Sequence, residues 1–182
     1  MKPSIIRTSA IVAFAVFTAA VASAQTGVTL PDSSQSTTLT ADVSEQAQVS
    51  VPAGVTFNVT DVTKSTDSAS ASVSASNIVL ATATKQLKVY MRANGAGFTA
   101  PVQDATTWSA GDVSWNAATW SNGTGATGTL SNAGFTEVAA CDADAASCGT
   151  TGLVFTLASK STVKRSGAHT LAVTWKFEGI EQ

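Results

Sequence analysis

The stretch "KQLKVYMRA", Lys85–Ala93, decides the fold class. Leu87, Val89 and Met91 fall on one side of it, and Lys88, Tyr90 and Arg92 on the other. Successive side chains of a pleated strand point to opposite faces, so this alternation describes a strand with one face in a core and the other toward water. The turn pair Asn94-Gly95 ends it.

The same period of two recurs on either side. Upstream, "TLTADVS" (38–44) groups Leu39, Ala41 and Val43, "QVSV" (48–51) groups Val49 and Val51, and "VTFNVTDV" (55–62) groups Val55, Phe57 and Val59. "SNIVLAT" (76–82) is a shorter apolar run, and the small polar residues of 63–75 suit an edge strand or a long loop. Downstream come "DVSWNA" (112–117), "GTL" (128–130), "FTEVAA" (135–140), "GLVFTLA" (152–158) and "HTLAVTWKFEGI" (169–180). The last of these aligns Leu171, Val173, Trp175 and Phe177, which assigns Trp175 to the core. Gly, Asn, Ser and Pro punctuate the gaps at Pro52, Gly54, Asn122-Gly123 and Ser166-Gly167. No stretch carries the 3.6-residue stripe of an amphipathic helix once the first residues are set aside. About eight to ten short strands without helices predict an all-β fold, a single two-sheet antiparallel β-sandwich of immunoglobulin-like or jelly-roll type.

The chain start sets the compartment. Lys2 and Arg7 precede an apolar run, and Ala22-Ser23-Ala24 has the small-x-small form of a cleavage site. Residues 1–24 therefore read as a secretory signal peptide, too short in its apolar centre to span a bilayer, where about 20 residues are needed. Polar, turn-rich residues 25–36 read as a flexible leader, and 37–182 as one β-sandwich domain. The expected location is periplasmic, cell-surface or extracellular in a bacterium, with no stable membrane span after cleavage. Loss of Lys2 and Arg7 takes the formal charge from −2 to −4. A sparsely charged, weakly acidic chain without a basic run excludes nucleic acid as a partner, since phosphate binding needs clustered Lys and Arg.

Both cysteines lie in "CDADAASC", Cys141–Cys148. Export to an oxidising compartment predicts a Cys141–Cys148 disulfide stapling a short loop. Asp142 and Asp144 have the alternate spacing that begins a calcium loop, but Ala146 and Ser147 stand where the next ligand and the Gly belong. Metal is therefore not expected, with calcium at Asp142 and Asp144 the alternative.

Catalytic residues are not expected, nor is a cofactor. The single histidine, His169, follows a turn, no Gly-x-Ser-x-Gly elbow occurs, and no spacing marks a carboxylate pair. Trp108, Trp115 and Trp120 cluster in "TWSAGDVSWNAATW". Trp115 alternates with Val113 and is assigned to the core. Trp108 and Trp120 either cap loops or, if exposed, stack on sugar rings.

The signal peptide, the early alternating strand "TLTADVS", the second run into "VTFNV" and the apolar C-terminal strand together carry a resemblance. The layout resembles secreted bacterial β-sandwich surface proteins of the fimbrial-subunit and spore-coat-U-like kind. That resemblance implies an early strand able to complete the sheet of a neighbour, with Leu39, Ala41 and Val43 as the insertion residues. The chain departs from it in lacking an early cysteine and an aromatic residue near its terminus. The sequence thus leads to a non-enzymatic exported surface or extracellular structural subunit that self-assembles by strand addition, its partners copies of itself or other surface subunits. The alternative is a secreted carbohydrate-binding or adhesive module that binds polysaccharide through Trp108 and Trp120.

Overall fold

A computed structural model of the protein describes residues 29–31 and 36–182. The expected signal peptide and most of the leader lie outside the described residues. Of the two units into which the chain divides, Asp42–Gln182 holds the architecture that follows.

Twelve strands carry it: β1 (Gln46–Ser50), β2 (Thr66–Asp67), β3 (Ala71–Val79), β4 (Lys85–Ala93), β5 (Val113–Trp115), β6 (Thr119–Trp120), β7 (Gly123–Gly125), β8 (Gly128–Thr129), β9 (Thr136–Cys141), β10 (Cys148–Leu153), β11 (Phe155–Leu157) and β12 (Val173–Glu181). The fold is all-β, and one 3-10 turn, Ala110–Asp112, is the only helical element among the described residues. Every strand pairing is antiparallel.

The strands form three sheets, ordered β1-β3-β10, β2-β11-β5-β8 and β12-β4-β9-β7-β6, where the sequence led us to expect two. The extra division has a local cause. The run Cys148–Leu157 pairs with residues 66–75 along most of its length but breaks at Val154, between β10 and β11. There the Asn116 side chain takes the place of a ladder partner. Its Oδ1 accepts from the Val154 N–H (2.8 Å) and its Nδ2 donates to the Gly152 carbonyl (3.1 Å). A side-chain amide thus satisfies backbone groups that an unbroken ladder would have paired.

Side chains of all three sheets meet in one core. Leu87, Val89 and Met91 of β4 face inward as their alternation requires, as do Val73 and Ala75 of β3, Val113 and Trp115 of β5, and Leu153, Phe155 and Leu157 of β10 and β11. The small-residue run 63–75 contributes β2 and the first half of β3, an inner strand flanked by β1 and β10. Its alanines and serines are poor strand formers, so pairing on both sides outweighs intrinsic preference here. The Cys141–Cys148 disulfide is formed, with its Cα atoms 5.8 Å apart. It ties the end of β9 in the five-stranded sheet to the start of β10 in the three-stranded one, so it joins sheets as well as closing a loop.

Two expected strands are absent. Residues 38–44 lie outside every strand, with Leu39 91% and Val43 72% exposed. Residues 55–62 are not a strand either. The Val59 N–H bonds to the Phe57 carbonyl two residues back (3.1 Å), and Asp61 Oδ1 accepts from the N–H (2.9 Å) and hydroxyl (2.6 Å) of Thr63. Tight local turns at both places break the extended run despite its apolar alternation.

Candidate functional site: an apolar groove beside a free strand edge

The site begins with a mismatch between two paired strands. In β12, Val173, Trp175 and Phe177 stand opposite Ala93, Met91 and Val89 of β4. Residues facing each other across an antiparallel ladder point to the same side of the sheet, so all six aim at the core. The β4 residues are sealed, at 2%, 2% and 0% exposed. The larger and equally apolar residues of β12 are only half-buried. Trp175, assigned to the core by its alternation, lies at the boundary of the core rather than inside it.

Val173 and Trp175 line a groove of about 1040 Å³. Its floor is made of core side chains, among them Met91, Trp108, Val113 and Leu157. One wall is Val173 and Trp175 of β12, and the other is the strandless segment 51–62 with Phe57, Val59 and Val62. Among the described residues β12 ends its sheet with β4 as its single neighbour, and no described strand pairs with its other edge. An apolar trough running beside a row of unpaired strand groups is shaped to take an extended chain.

The rim is the loop Lys164–Ala172. Its conformation is set by Gly167, whose φ of 126° a side chain would strain, and whose absent Cβ would lie 2.7 Å from Pro101 Cβ. His169 anchors the loop. Its Nε2–H donates to the Arg165 carbonyl (3.2 Å), its Nδ1 accepts from the Thr107 hydroxyl (2.7 Å), and its ring stands edge-on to Trp108 at 5.2 Å. The sole histidine is therefore engaged in holding the rim. Besides His169, the only ionisable residues lining the groove among the described residues are Lys164 and Arg165, with no Asp or Glu. Both are exposed, and neither is ion-paired among the described residues.

A second pair of contacts secures the groove from behind. Asp112 accepts from the Ser109 N–H (2.7 Å) and from Lys160 Nζ (2.8 Å), while the Lys160 N–H donates to the Val62 carbonyl (2.7 Å). Burial pushes the Asp112 carboxyl up, but the hydrogen bonds from Lys160 and Ser109 outweigh it and hold the group below the usual carboxylate range.

The point where the N-terminal segment leaves the sheets is also fixed. Glu45 Oε1 accepts from Lys85 Nζ (2.7 Å) and the Ala81 N–H (2.8 Å), and its carboxyl lies against Gly179 of β12. Those hydrogen bonds, from Lys85 first and then Ala81, hold the Glu45 carboxyl below its usual range.

The structure brings some of the sequence-predicted residues together and scatters others. Leu39, Ala41 and Val43 lie in the exposed segment ahead of the Glu45 contact. Trp108 and Trp120 are buried, at 5% and 6% exposed, and the Trp108 Nε1–H donates to the Ala158 carbonyl (2.9 Å). Neither offers the open ring face that stacking on a sugar requires. Asp142 and Asp144 are exposed, and among the described residues no cluster of three or more His, Cys, Asp or Glu is placed to hold a metal ion. Sequence reading missed the groove, because half-burial of β12 and the turns of 55–62 depend on what is absent beside them. No protein family, curated protein or solved structure matches the chain. No helix among the described residues is long and apolar enough to cross a membrane.

Proposed function

We propose that the chain is a non-enzymatic exported structural subunit, of the cell surface or extracellular space, that assembles by strand addition. The segment 38–44 of one copy enters the groove of another, pairs with the free edge of β12, and turns Leu39, Ala41 and Val43 onto the exposed core. The observation that carries this reading is the half-burial of Val173, Trp175 and Phe177 opposite sealed partners on β4. A core one strand short sits in the same chain as an unpaired alternating segment. Strand addition satisfies both, main-chain bonds supplying affinity and alternate side chains specificity.

The reading also organises the fold. The three- and four-stranded sheets are joined through the continuous run Cys148–Leu157, and the three-stranded sheet meets the five-stranded one at the Ser121–Gly149 bridge. We read these joined sheets as a sandwich whose open seam lies beside β12. Support for a non-catalytic role comes from the groove, whose lining has no carboxylate and whose histidine holds a loop.

The test is size-exclusion chromatography and electron microscopy of the exported chain, with and without residues 25–44. The intact chain is expected to form linear multimers, and the shortened chain to stay monomeric with its compact body intact. Monomers from both, at every concentration, would remove the assembly reading.

A further inference from the structure

We infer that Lys164 and Arg165 on the groove rim capture Asp42 of the incoming copy, and that this charge contact sets how far along β12 the segment docks. The inference rests on the strand-addition reading and adds to it a specific docking contact.

Among residues 36–44 the only charged side chain is Asp42. Across the longer stretch 25–45 the charges are Asp32, Asp42 and Glu45, with no Lys, Arg or His among them. The acceptor has the opposite sign. Among the described residues, Lys164 and Arg165 line the groove, no acid does, and neither cation has an ion-pair partner.

Alternation then places the charge. With Leu39, Ala41 and Val43 turned into the groove, Asp42 points outward between the last two. An outward carboxylate at the mouth of a groove meets its rim, and the cations of this rim lie on the loop that leads into β12. The apolar residues alone do not fix the register, because a shift by two residues still presents Ala or Thr-Leu alternation to the same face. The single outward charge removes that freedom. Exposed charges of opposite sign also speed encounter, an effect that salt suppresses.

The experiment follows multimer growth by light scattering in the exported chain, from about 0.02 to 0.5 M NaCl, a range over which the screening length falls several-fold. Wild type is expected to slow as salt rises. Asp42→Lys, and the pair Lys164→Glu with Arg165→Glu, are each expected to slow growth about tenfold at low salt. Combining all three substitutions is expected to restore most of the rate. All three positions are exposed, and matching thermal melts of the unassembled variants confirm that the fold is unchanged. Wild-type rates and salt response in the charge variants would overturn the inference while leaving strand addition in place. A wild-type chain that never multimerises would overturn both.

Discussion

Gly128 shows how closely single residues are constrained. A Cβ added there would lie 2.2 Å from Cζ2 of Trp115, and that ring has no room to retreat. Its Nε1–H donates to the Ala126 carbonyl (3.0 Å), and Phe155 packs edge-on against it at 6.5 Å. Gly128→Ala is therefore expected to destabilise by about 1–3 kcal/mol through overpacking, read as a lower denaturant midpoint with an unchanged slope. Asp112 supports the groove through a charge-assisted pair of bonds rather than through volume. Asp112→Ala strands the Ser109 N–H and frees Lys160, at a cost of about 1–2 kcal/mol after allowing for partial exposure of the ion pair; chemical denaturation measures it. Residues such as Leu87, Val89 and Trp115 were legible in the sequence, because alternation directly encodes which face is inward. Trp175 was not: its pattern gives the direction it points and says nothing about whether another strand covers it.

At the scale of the element, the two misread strands teach the same lesson from opposite sides. Residues 55–62 alternate but bend, because Asp61 bonds to Thr63 locally and competes with any ladder. Residues 38–44 alternate and stay outside every strand, which under strand addition is the form of a segment awaiting a partner from another chain. The Glu45 contact marks where that segment ends, and its pH dependence follows from the lowered carboxyl. A group whose folded pKa is depressed contributes stability above its unfolded value, and loses it as pH falls through the folded value. The melting temperature of wild type should therefore exceed that of Glu45→Gln at neutral pH, and the gap should close as the buffer is taken down through the carboxylate range. A gap that persists in strong acid would assign the difference to packing against Gly179. The disulfide is the other element-scale tie. Reducing a ring that spans Cys141–Cys148 should cost about 2–3 kcal/mol by loop entropy, measurable as a lower denaturant midpoint in reductant. Its pairing was legible from spacing and from the compartment that the signal-like chain start led one to expect, whereas its role in joining two sheets depends on a topology that no local pattern specifies.

For the whole molecule, what matters is where the core is left open. Three antiparallel sheets share one set of buried apolar side chains, and among the described residues a trough of about 1040 Å³ is lined in part by Val173 and Trp175 of the edge strand β12. The sequence carries the all-β class, the disulfide and the early alternating segment, but the position of β12 at a sheet edge is a property of the assembled sheets alone. Hydrogen exchange of the Val173–Glu181 amides, compared between multimeric and monomeric fractions of the same preparation, tests this most directly. If a segment from another copy pairs with β12, alternate amides of this strand become strongly protected in the multimer and stay fast in the chain lacking 25–44. Multimers in which β12 exchanges as quickly as in the monomer would contradict the account.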